Sequence, residues 1–187
     1  MMMVMDKQQI LFVQGAGDMQ QPDGSGRLAA YLASELGDRY RVIAPEMPEA
    51  GNPRYQPWSD RINQELGAIE QDVIIVGHSF GGSVVLKCLA KGSHERIQAL
   101  FLISTPDWGP DGWAYEEFAV PDDVGARLPT SRIFLYHSRQ DPEVPFAHLA
   151  YYQERLPTAT VRAIPGSEHS FLEGLPVLVE DIRCLSE

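Results

Sequence analysis

Six short runs of β-prone residues, all but the fourth followed by a segment with apolar residues at helical spacing, restrict this chain more than any other feature. Strands that alternate with helices are joined by crossovers, so they pair in parallel, and a parallel sheet needs helices over both faces. The runs are Ile10 to Gln14, Arg41 to Ala44, Val73 to Gly77, Ala99 to Ser104, Ile133 to His137 and Thr160 to Ile164. The helical patterns are Arg27 to Leu36, Trp58 to Glu70, Ser83 to Lys91, Phe146 to Leu156 and Glu173 to Cys184. The predicted fold is α/β: a three-layer α/β/α sandwich around one mostly parallel sheet of about six strands, with residues 1–187 as one domain.

With 187 residues, 44% apolar and 22% charged, the chain can bury a core without disulfides or a structural metal. Cys88 and Cys184 read as free thiols of a reducing compartment, so a cytoplasmic location is expected. A formal net charge of −11 repels phosphate backbones and anionic headgroups, which argues against nucleic acid as a partner. The apolar opening Met1 to Met5 stops at Asp6 and has no basic flank or small-residue cleavage site, so it fails as a signal peptide. No apolar run reaches the length of a membrane span. Two stretches break the rhythm. Pro45 to Pro57 is proline-rich and is expected to run over the surface. Thr105 to Thr130 is rich in Pro, Gly and Asp yet carries Trp108, Trp113, Tyr115 and Phe118, and long loops in compact domains are often functional.

The strongest chemical signal is Gly77-His78-Ser79-Phe80-Gly81-Gly82, a G-x-S-x-G sequence between an apolar strand and a helical run. A tight strand-to-helix turn strains its central residue, and glycines at 77 and 81 let the chain double back. Such a turn lifts the Ser79 hydroxyl above the carboxyl ends of the strands and aims the Phe80 N–H at an oxyanion forming beside it. The alternative is a serine that merely caps the helix.

A serine hydroxyl is a weak nucleophile and needs a base, with a third group fixing the base's tautomer. His169 follows the last strand in Gly166-Ser167-Glu168-His169, and Asp141 follows the fifth in Ser138-Arg139-Gln140-Asp141-Pro142. Parallel strands end on one side, so these loops can converge on Ser79. Asp141 could instead be a turn former, and its rival as the acid is Asp107, three residues past the fourth strand. His169 could be a solvated loop histidine. His78 is expected to pack against neighbouring loops, His137 to support the Asp141 loop, and Cys88 to be a small buried apolar residue. No H-x-x-x-H or C-x-x-C spacing appears, so no metal is expected.

After the first strand, Gly15-Ala16-Gly17 starts a dinucleotide fingerprint that Gln20 leaves incomplete. The loop is better read as the source of a second oxyanion donor, the Ala16 N–H, with Gly17 as the alternative.

With these residues in order, the chain resembles a small, capless α/β-hydrolase of the retinoblastoma-binding-protein-9 and YdeN-like serine hydrolase family. The resemblance rests on Gly77 to Gly82, on Asp141-Pro142-Glu143-Val144-Pro145-Phe146, on Gly166 to His169, and on Ala44-Pro45-Glu46-Met47-Pro48 leading to Trp58. It implies Ser79 as nucleophile, His169 as base and Asp141 as orienting acid, and a cofactor-free serine hydrolase acting on a small acyl substrate through an ester-like (carboxylester or thioester) bond. Many hydrolases have His-Gly where this chain has Gln14-Gly15, and the L-x-C-x-E element of retinoblastoma binding is broken at Ala90. Trp108 and Trp113 are candidates for a substrate pocket, with anchoring of their loop as the competing role. The alternative function is a catalytically weak protein-interaction module on the same fold.

Overall fold

The computed structural model describes residues 7–185; the Met1 to Met5 opening lies outside the described residues. Six strands run in sequence as β1 (Gln8–Val13), β2 (Tyr40–Ile43), β3 (Val73–His78), β4 (Ile97–Ile103), β5 (Ile133–Ser138) and β6 (Thr160–Ile164). They form one sheet in the order β2-β1-β3-β4-β5-β6, with every pairing parallel. The helices are α1 (Gly26–Leu36), α2 (Tyr55–Ala68), α3 (Phe80–Lys91), the short α4 (Val124–Arg127), α5 (Ala147–Arg155) and α6 (Pro176–Cys184).

The strands read as unbroken apolar runs because both faces are covered. Leu11, Val13, Ile75, Leu100, Leu102 and Leu135 pack under α2, α3 and α5, with Trp58, Ile62, Val85, Leu89 and Tyr152 from the helices. The alternate residues Ile10, Phe12, Ile74, Val76, Phe101 and Ile103 pack on the other face against Leu28 and Leu32 of α1 and Leu178 and Ile182 of α6. Six fully buried apolar residues on each face, at about 1.5–3 kcal/mol apiece, make these two layers the main source of stability. Buried Tyr136 donates to Asp181 at 2.6 Å, and Arg162 pairs with the same carboxylate at 2.7 Å, which ties α6 to β5 and β6. Among the described residues, no helix is long and apolar enough to cross a membrane.

Two boundaries differ from the sequence pattern. The Pro45 to Pro57 stretch is not simply a surface loop: Met47 and Tyr55 are buried, Trp58 donates its indole N–H to the Pro48 carbonyl at 2.8 Å, and α2 already starts at Tyr55. Pro57 fits within the first turn, where a missing N–H costs nothing. α3 likewise starts at Phe80 rather than Ser83.

The strand order matters for the site. From β1 the chain moves outward to β2 and then returns to the other side of β1 with β3, so the loops after β1 and β3 leave in opposite directions. A crevice opens between them at the carboxyl edge, where open α/β sheets bind ligands.

Candidate active site

Ser79 lies between β3 and α3 at φ 51° and ψ −126°, a left-handed conformation that L-residues avoid. The local sequence makes this turn feasible. A Cβ on Gly77 would come within 2.7 Å of the Gly82 Cα, and one on Gly81 would overlap the Gln14 carbonyl oxygen at the end of β1. The Ser79 N–H donates to the Ile103 carbonyl of β4 at 2.8 Å, which pins the turn to the sheet. Its hydroxyl makes no capping bond to α3. Instead Oγ lies 3.0 Å from Nε2 of His169.

His169 is 7% exposed, and its Nδ1 lies 2.9 Å and 3.1 Å from the two carboxylate oxygens of Asp141. An ionised carboxylate only accepts, so Nδ1 carries the proton, Nε2 is left as the acceptor, and the Ser79 hydroxyl donates to it. Asp141 is itself fixed by the N–H groups of Glu143 at 2.8 Å and Val144 at 2.9 Å. Burial pushes its carboxyl up, but the His169 and main-chain hydrogen bonds outweigh that and hold it below the ordinary aspartate value. His137 donates Nε2–H to the Val144 carbonyl at 2.9 Å and so braces this loop, as expected from its place at the end of the fifth strand. The Glu143 carboxylate lies 3.6 Å from His169 Nε2, at the mouth of the site.

The rival acid is committed elsewhere. Asp107 is buried, pairs with Arg155 at 3.3 Å, and donates its main-chain N–H to Nδ1 of His148 at 2.8 Å. Cys88 is buried, which raises its thiol pKa, and its Sγ faces Asn63 at 3.6 Å. Among the described residues, no group of three His, Cys, Asp or Glu side chains is arranged to hold a metal ion.

A second serine–histidine pair lies beside the first. Ser25 Oγ and His78 Nδ1 are 2.7 Å apart, and His78 Nε2 is 3.0 Å from the His169 carbonyl, which also accepts from Ser104 Oγ at 3.1 Å. A carbonyl only accepts, so Nε2 carries the His78 proton and Ser25 donates to Nδ1. Ser25 Oγ in turn accepts the Gly15 N–H at 2.8 Å. Both residues are buried, and burial, followed by the neighbouring His169, lowers the His78 pKa to about 4. With each ring nitrogen committed, this pair links the loop after β1 to the loop carrying His169. The sequence gives no sign of it, since Ser25 and His78 are 53 positions apart.

A cleft of about 630 Å³ opens over Ser79 and His169, lined among others by Ala16, Arg54, Phe80, Trp108, Trp113, Tyr115, Phe118 and Glu143. Trp108 donates its indole N–H to Ser83 of α3 at 2.9 Å, so its ring anchors the loop and also walls the cleft. Trp113 packs edge-on against it at 4.9 Å between ring centroids and remains 43% exposed. A separate concavity of about 720 Å³, between residues 122–133 and 154–158, contains none of Ser79, Asp141 and His169.

The N–H groups around Ser79 can be accounted for one by one. Gly15 donates to Ser25, and Gly17 donates to the Ala50 carbonyl at 2.6 Å, which removes Gly17 as a donor to the cleft. Among the described residues, Ala16 N–H has no acceptor, and Ala16 is exposed. Phe80 opens α3, so its N–H has no carbonyl one turn back in the helix.

The sequence model of a family described as serine hydrolase matches residues 23–170. This chain belongs to that family. Solved structures share the α/β-hydrolase fold of this serine hydrolase. The ydeN gene product of B. subtilis superposes with a TM-score of 0.80 at 16% identity, over 96% of this chain and 99% of that one. A meta-cleavage product hydrolase from Pseudomonas fluorescens IP01 gives 0.72 at 18% identity, over 95% and 91%. An esterase from Rhodococcus sp. ECU1013 gives 0.69 at 15% identity, over 97% and 91%. No curated protein sequence matches the chain.

Proposed function

We propose that this serine hydrolase cleaves a carboxylester or thioester bond of a small acyl substrate, with Ser79 as nucleophile, His169 as general base and Asp141 as the group that orients it. The reading is carried by the continuous chain from Ser79 Oγ through His169 to Asp141, at 3.0 Å and 2.9 Å. As Ser79 Oγ bonds to the substrate carbonyl carbon, its proton moves to His169 Nε2, and the buried Asp141 carboxylate stabilises the imidazolium. The carbonyl oxygen becomes an oxyanion facing the N–H groups of Phe80 and Ala16. Collapse expels the leaving group, which takes the proton from His169. Water activated by His169 then attacks the acyl carbon and frees Ser79. The aromatic wall formed by Trp108 and Trp113 suits an apolar acyl group, and an esterase among the structural neighbours supports the ester assignment.

Turnover of p-nitrophenyl esters across acyl chain lengths tests this. The wild type should hydrolyse them, and Ser79→Ala or His169→Ala should lower kcat by about 10³-fold or more. Trp108→Ala should raise KM more for the longer acyl chains than for acetate. Undiminished turnover by Ser79→Ala would refute the nucleophile assignment.

A further inference from the structure

Gln14 stands where β1 ends, 2% exposed, with a side chain that makes three hydrogen bonds and reaches neither Ser79 nor His169. Its Nε2 donates to the Gly17 carbonyl at 2.7 Å and to the Gly15 carbonyl at 3.2 Å. Its Oε1 accepts the Met47 N–H at 3.1 Å. Met47 belongs to the segment between β2 and α2 that also supplies the Ala50 carbonyl to Gly17. The loop after β1 is therefore held by Gln14 at the Gly15 and Gly17 carbonyls and by the Ala50 carbonyl at the Gly17 N–H.

The Gly15 carbonyl and the Ala16 N–H belong to one peptide unit. In a planar trans peptide the two point in opposite directions, so a donor that fixes the carbonyl also fixes the direction of the N–H. Donation to that carbonyl further polarises the unit and strengthens its N–H as a donor. From this geometry we infer that Gln14 is a positioning residue for the hydrolysis: it holds the Gly15–Ala16 peptide so that the Ala16 N–H meets the oxyanion. Gln14 touches no reacting atom and acts through Ala16. The inference rests on the Ser79 mechanism proposed above.

Positioning of an oxyanion donor changes the transition state more than the bound ester, so its loss falls on kcat. Gln14→Met keeps the chain length and removes the donor. It should lower kcat for p-nitrophenyl acetate about 10- to 100-fold with KM within about threefold, and weaken binding of a trifluoromethyl ketone by a similar factor. Gln14→Glu keeps an oxygen for the Met47 N–H but sets an anion against two carbonyls, and should fall at least as far. A purely structural role would lower the melting temperature and the fraction of titratable sites, leaving kcat per active site unchanged, and that result overturns the inference.

If neither variant folds, the wild type decides by NMR. The Ala16 amide proton and the Gln14 side-chain amide protons should both shift downfield when the ketone binds, and a shift of Ala16 without Gln14 overturns the coupling. Ser79→Ala separates the two proposals. Continued turnover there sinks the parent mechanism, whereas a dead Ser79→Ala beside a fully active Gln14→Met sinks only the role of Gln14.

Discussion

The conformation of Ser79 costs about 1–3 kcal/mol, and it persists because β3, β4 and α3 fix both sides of it. What the strain provides is a hydroxyl free of the helix cap and aimed at an imidazole. Asp141 and Asp107 show how residues of one type separate by their surroundings: the first meets His169 and two N–H groups, the second meets Arg155. Asp141→Asn should therefore reduce kcat by about 10⁴-fold, because an amide no longer enforces the productive His169 tautomer. Asp107→Asn should leave kcat within about threefold and lower stability by about 1–3 kcal/mol through the weakened Arg155 pair, read from urea denaturation. The proposed triad of Ser79, His169 and Asp141 was legible because each follows within five residues of a strand end at the carboxyl edge, in the chain order expected of nucleophile, acid and base. The link from Ser25 to His78 was not, since the two lie 53 positions apart, and the hold of Gln14 on Met47, 33 positions away, was equally hidden; Gln14 stood out only as a departure from the common His-Gly, without a role.

Among the elements, the unit that positions the site is β3, the turn and α3 pressed against the end of β1. Gly81→Ala would drive a methyl group into the Gln14 carbonyl, a rigid neighbour, and should destabilise the protein by at least about 2 kcal/mol in chemical denaturation. All six predicted strands are present because the unbroken apolar runs follow from burial on both faces. Helix starts were less legible. α3 opens with Phe80-Gly81-Gly82, whose glycines are poor helix formers chosen for close approach, and α2 opens before its apolar stripe does. Apolar periodicity reports the face that packs and is blind to a first turn recruited by the site.

At the scale of the whole molecule, the buried histidines couple folding to acid. Burial lowers the pKa of His78 from 6.5 to about 4, and it lowers those of His137 and His148 as well. Between pH 6.5 and about 4 the unfolded chain binds protons that the folded chain refuses, so stability is full above this window and lost as pH falls through it. His78 alone contributes about 3 kcal/mol of that loss. Below about pH 3.8 Asp141, whose folded pKa is depressed, adds to the loss in the same direction. Urea midpoints should decline steadily from pH 7 to pH 4, with a shallower slope in His78→Gln; a flat profile would contradict the burial argument.

The central claim is that loops after β3, β5 and β6 converge to activate one hydroxyl among the many the chain carries. Fluorophosphonate labelling followed by peptide mass spectrometry tests it directly. The account predicts a single adduct on Ser79, lost in Ser79→Ala and slowed in His169→Ala; an adduct on Ser25, or labelling that survives Ser79→Ala, would contradict it.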